Sequence, residues 1–134
     1  MSGFVLEGEG LSPIENPTNA KVRDVIECLG QYDTSFAALV APNGDYVQAA
    51  GDGEFCTVEK RQHNPLNHTR AYYLVARDIR SAKTTLKTGA GEMSLEPDEF
   101  IRLKMAADIF EAILEGCELE PSIAWRSQNE ILGL

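Results

Sequence analysis

Asp33-Thr-Ser-Phe-Ala-Ala-Leu-Val-Ala-Pro-Asn-Gly-Asp-Tyr-Val-Gln-Ala-Ala-Gly-Asp-Gly-Glu-Phe-Cys-Thr-Val-Glu-Lys-Arg61 holds two turn signals and three extended runs. Pro42-Asn43-Gly44-Asp45 is the first turn, because Asn and Gly tolerate positive φ between apolar runs. Gly51-Asp52-Gly53 is the second. The runs they separate predict strands over 35–41, 46–50 and 55–61. The first of them is apolar on both alternating sets, Phe36, Ala38, Val40 and Ala37, Leu39, Ala41, which predicts a central strand covered on both faces.

Outward from that stretch, Val5 and Leu6 centre a short strand over 4–9, and the prolines of 11–17 predict a loop. Thr18 or Asn19 caps a helix to about Leu29, with Val22, Val25, Ile26 and Leu29 on one face and Gly30 as its stop. Downstream, His68–Ala76 reads as a fourth strand. Lys83–Thr88, with Lys83, Thr85 and Lys87 alternating outward, reads as an edge strand. Pro97, Asp98 and Glu99 predict a helix start, with Leu95 and Phe100 as a hydrophobic staple, a stripe of Phe100, Leu103, Ala107, Phe110 and Leu114, and Gly116 as the stop. The tail from Pro121 reads as a last strand or a short helix. The expected fold is one α+β domain over 1–134, a twisted, mainly antiparallel sheet of five to six strands packed against two α-helices.

The formal net charge of −9 disfavours nucleic acid as a direct ligand, since neutralising phosphates needs a basic surface. The charge is uneven. Lys60, Arg61, Arg70, Arg77, Arg80, Lys83 and Lys87 stand against Asp78 alone between 60 and 87, whereas residues 92–134 carry ten carboxylates against three cations. The acidic end is either partly cancelled by the basic strands or forms a recognition surface. The apolar run Phe36–Ala41 is far too short to span a bilayer, the start has no basic region, and the cysteines Cys28, Cys56 and Cys117 are odd in number. These features point to a cytoplasmic protein with no membrane association.

Reaction motifs do not assemble. His63 and His68 with Cys56 lack metal-ligand spacing and read as loop histidines, so no metal, cofactor or catalytic residue is assigned. Asp108, Glu111 and Glu115 read as a solvated acidic helix face rather than a cation site. Tyr46, which alternates with Gln48, is either core or an interface anchor.

Asn43-Gly44-Asp45-Tyr46-Val47-Gln48-Ala49-Ala50-Gly51 and Phe55-Cys-Thr-Val-Glu59-Lys-Arg61, followed by the amphipathic stretch to Gly116 and Trp125-Arg126, resemble small bacterial immunity proteins of polymorphic-toxin systems. The resemblance implies a non-catalytic protein that binds and blocks a cognate toxin, often a nuclease or deaminase. An inhibitor of such an enzyme fills a basic cleft, which an acidic surface reaches quickly. The partner-binding residues expected on that basis are Tyr46, Gln48, Glu111, Glu115, Glu118, Trp125 and Arg126, on a monomer or homodimer. Two other readings stay open: a small-molecule or enzymatic domain with a pocket between sheet and helix, and a structural subunit that dimerises through its sheet.

Overall fold

The computed structural model describes residues 3–31, 34–74, 85–89, 91–118 and 121–134. Its elements are β1 (Val5–Gly8), β2 (Leu11–Glu15), α1 (Asn19–Glu27), β3 (Phe36–Val40), β4 (Tyr46–Gly51), β5 (Phe55–His63), β6 (Leu66–Tyr73), β7 (Thr85–Thr88), β8 (Gly91–Ser94), β9 (Ile101–Arg102), α2 (Leu103–Glu115), β10 (Ile123–Ser127) and α3 (Asn129–Leu132). Residues 75–76 of the expected fourth strand and 83–84 of the expected edge strand lie outside the described residues.

The main sheet runs β10-β6-β5-β4-β3-β1-β2. Every pairing in it is antiparallel. On the flank away from β4, β5 has two successive neighbours. Phe55 and Cys56 pair with β9, and Glu59 to His63 pair with β6. The β3–β4–β5 meander matches the sequence reading, and β3 lies inside the sheet with Ala37, Ala38 and Leu39 buried.

Strand alternation sends successive side chains to opposite faces. One face carries Leu6, Leu39, Val47, Val58, Ala71 and Ile123, and α1 and α2 close over it with Val22, Ile26, Leu29, Ile109 and Phe110. Burying each of these large side chains contributes about 1.5–3 kcal/mol. On the other face Phe55 forms a smaller core with Leu86 of the β7–β8 hairpin, Leu95 and Phe100. Phe55 and Phe100 meet edge to face, with ring centroids 6.0 Å apart.

α1 starts where Thr18 accepts a hydrogen bond from the Lys21 amide at 3.1 Å, as its capping residue type predicts. Its apolar stripe seats Val22 and Ile26, and Leu29 just past its end, with no exposed area. α2 stops at Gly116, whose φ of 70° is left-handed.

Three expectations are corrected. The segment 11–17 is not all loop: β2 forms there, and Pro13 is tolerated because β2 is the sheet edge, where a missing N–H breaks no ladder. Pro97 does not begin the long helix. Glu96 and Glu99 form a reciprocal capping box around a single turn over Pro97–Glu99, after which Phe100 is extended and α2 starts at Leu103. Phe100 belongs to the small core and Ile101 to the large one on the opposite face. Consecutive residues reach opposite faces from a strand, but sit only about 100° apart on a helix. The tail is both alternatives at once, β10 against β6 and then the short α3. The main sheet therefore has eight strands rather than five or six, with the β7–β8 pair separate and three helices among the described residues.

Candidate functional site

Basic and acidic side chains are sorted by depth. Among the described residues the exposed carboxylates are those of Glu7, Glu9, Glu15, Asp24, Glu54, Glu92, Glu96, Asp108, Glu115, Glu118 and Glu130, while the exposed cations are Lys21, Lys87 and Lys104 alone. Six carboxylates, Asp24, Glu27, Asp108, Glu111, Glu115 and Glu118, lie on or just beyond α1 and α2, against Lys21, Arg23 and Lys104. There Arg23 serves three carboxylates, Asp108 at 2.8 Å, Glu27 at 3.3 Å and Glu111 at 3.8 Å. Its pKa is raised chiefly by the hydrogen bond to Asp108. Asn19 donates to Glu115, and Glu118 is exposed beyond the helix stop. Pairs this close to the surface add little stability, and one guanidinium shared by three carboxylates leaves the cluster net negative.

Three of the less exposed cations, Arg61, Arg70 and Arg126, lie on the hairpin-side face, in a linked chain. His68, 3% exposed, stands with Nε2 2.5 Å from Glu59 Oε1, and its Nδ1 accepts from Arg61 Nε at 3.1 Å. The Arg61 donor makes Nδ1 an acceptor, so the ring proton sits on Nε2, facing Glu59. Arg70 joins the other Glu59 oxygen at 2.9 Å to Glu99 Oε1 at 3.2 Å. Arg126 then bridges Glu99 at 2.9 Å and Asp98 at 2.9 Å, with its guanidinium 4.2 Å from the Tyr72 ring centroid. The Asp98 hydrogen bond, opposed by burial and aided by Glu99, raises the Arg126 pKa. Each carboxylate here sits against a cation and both His68 nitrogens are engaged. The arrangement ties β5, β6, β10 and the 97–99 turn together.

The expected partner-binding residues fall on separate surfaces. Glu111, Glu115 and Glu118 share the α2 end of the acidic helix pair. Trp125 and Arg126, adjacent in sequence, face opposite sides of β10. Trp125 is on the helix side with Lys60 Nζ 4.4 Å from its ring centroid, and Arg126 is in the charge chain. They do not present one contact patch. Tyr46 is half-buried, 6.4 Å from the His63 ring, and half-buried Gln48 lies between Ala38 and Glu59 in the ladder.

His63, His68 and Cys56 do not converge. His63 Nδ1 lies 3.1 Å from Asp45, a contact that lowers the Asp45 pKa; His68 is in the charge chain, and Cys56 lies in the helix-side core. Among the described residues no three His, Cys, Asp or Glu side chains are grouped to hold a metal ion. Burial, reinforced by Asp52, pushes the Cys56 thiol well above its ordinary range. Thiol labelling of the native protein is therefore expected to modify exposed Cys117 first, with Cys56 reacting only after denaturation. Labelling of Cys56 at the Cys117 rate would contradict its placement.

The sequence counts Lys60 only as one of the basic residues of 60–87, with no role in a site. The signal was in the alternation of β5, where Cys56 and Val58 face the core and Lys60 occupies the next position on the same side. No helix among the described residues is long and apolar enough to cross a membrane.

Fold and surface together define an α+β protein, an antiparallel sheet with a helix pair on one face, a small hairpin on the other and an acidic exterior. No family model matches the chain, and neither a curated protein nor a solved structure does.

Proposed function

We propose that the chain is a non-catalytic, immunity-type binding protein that neutralises a basic protein partner through the acidic face of α1 and α2. The observation that carries this reading is the sorting of charge: Arg61, Arg70 and Arg126 are turned into internal contacts, so the negative balance is expressed on the outside. A carboxylate-rich face meeting a basic cleft gains encounter rate from long-range attraction and rejects acidic competitors. In this reading the charge chain serves to stiffen the platform, and the protein acts in the cytoplasm beside its partner.

The test is co-expression with the C-terminal segment of the protein encoded by the adjacent gene. The chain should relieve the growth arrest caused by that segment. A variant carrying E111K, E115K and E118K should fold normally, associate at least about tenfold more slowly at low salt, and protect poorly. Equal protection by both forms, or no relief by either, overturns the proposal.

A further inference from the structure

On the helix-side face of β5, Cys56 and Val58 are fully buried and apolar, and the third position is Lys60. Lys60 is half-buried, and burial lowers its pKa with no carboxylate offsetting the effect. In a chain of net charge −9, Lys60 pairs with no carboxylate among the described residues and lies over the Trp125 ring instead. Directly opposite Lys60 on β6 stands Thr69, 7% exposed, whose Oγ1 is buried with no hydrogen-bond partner. The Trp125 indole Nε1 is likewise buried and unpartnered. Three neighbouring strands thus bring together three donors that meet no acceptor, although buried polar groups are normally paired.

Beside Lys60 is a cavity of about 200 Å³ whose walls include Phe4, Leu39, Ala41, Val47 and Ile113. It lies between the sheet and the C-terminal half of α2. Asp45 also reaches it, but is taken up by His63 at 3.0 Å and 3.1 Å and by Asn43 at 3.2 Å. We propose that this cavity binds a small molecule with an apolar body and a single carboxylate, the body against Phe4, Leu39, Val47 and Ile113 and the carboxylate on Lys60. This site is independent of the acidic helix face. At about 30 Å³ per water-sized group, the space takes about seven non-hydrogen atoms. Pentanoate has that size and chemistry. On binding, the Lys60 ammonium exchanges the indole face for the carboxylate, and its flexible stem permits the swing.

Trp125 is the only tryptophan, so its emission reports the event. Titration with pentanoate should give a saturable change in fluorescence with a millimolar dissociation constant, in keeping with the modest affinity of fragments this small. Pentan-1-ol should bind at least about tenfold more weakly, and pentylamine should give no saturable change. Lys60→Met keeps the stem and removes the charge, and should weaken pentanoate by at least about tenfold. Ala41→Leu fills the cavity while leaving Lys60 over Trp125, so the starting emission should be retained and the pentanoate response lost. Absence of a saturable response in the wild-type protein, equal binding of pentanol, or unchanged binding in Lys60→Met overturns the proposal.

Discussion

Replacing Glu99 with alanine is expected to lower the stability of the fold by about 3–5 kcal/mol, the range for breaking a buried ion pair from one side. The Glu99 side chain is 3% exposed. One oxygen takes Arg70 at 3.2 Å and the Glu96 amide at 2.9 Å, and the other takes Arg126 at 2.9 Å. Removing the carboxylate leaves two guanidinium groups short of a partner in a place where water cannot fully replace it. Arg70 keeps Glu59 and Arg126 keeps Asp98, which puts the expected value near the lower end. With a urea slope of about 1–3 kcal/mol/M, the unfolding midpoint should fall by at least about 1 M. Glu99→Gln, which keeps acceptor and shape but loses the charge, should lie between wild type and Glu99→Ala. A Glu99→Ala midpoint within error of wild type would mean that this chain of charges does not brace the fold.

The second large effect is expected at Gly30. Its φ is +84°, and a Cβ there would stand 2.3 Å from Gly53 N, 2.5 Å from Asp52 C and 2.6 Å from Gly51 O. All three are backbone atoms of the β4–β5 turn, which the exit of α1 rests upon. That turn is itself fixed, because Asp52 Oδ1 accepts from the Glu54 and Phe55 amides at 2.9 Å and 2.8 Å. Gly30→Ala therefore adds overlap with immobile atoms to the left-handed backbone cost of about 1–2 kcal/mol. The total should exceed about 3 kcal/mol and reduce the yield of folded protein. Gly44→Ala is the control: its φ of +92° carries the same backbone cost, but nothing lies within 4 Å of the added methyl. Circular dichroism and urea titration of the two variants should separate them clearly. Equal losses would show that packing of α1 on the turn matters less than the backbone angle.

The parts of the fold that were legible in the sequence are those decided by near neighbours. Asn43-Gly44 and Gly51-Asp52-Gly53 punctuate three strands because their residues suit turns, and Thr18 starts α1 because its hydroxyl caps a free amide. Pro97, Asp98 and Glu99 also carry a correct local message, since a turn does begin there. What stops it is the demand of two cores for Phe100 and Ile101, which no local pattern encodes. Pro13 misled for the related reason that a proline reads as a strand breaker until its strand is known to be an edge. At the surface, the spacing of Glu111 and Glu115 gave the acidic face of α2, but not the reach of Arg23 from α1. Trp125 and Arg126 looked like one recognition pair because the tail could not be assigned, and only a strand sends them apart. The partnership of Glu59 with His68 and Arg70 depends on ladder register between β5 and β6, which emerges only when the strands are paired.

The divided flank of β5 also bears on how the protein is made. A nascent chain that has cleared Tyr73 holds everything required for the meander from β3 to β6, yet Phe55 and Cys56 must wait for Ile101 and Arg102 to leave the ribosome. At roughly 5–20 residues per second that wait lasts on the order of a few seconds. α2 emerges only after β9, so through that interval Val47 and Val58 lack their covering helix. Slower translation across that region would prolong the period in which the half-built protein is most prone to stick to its neighbours.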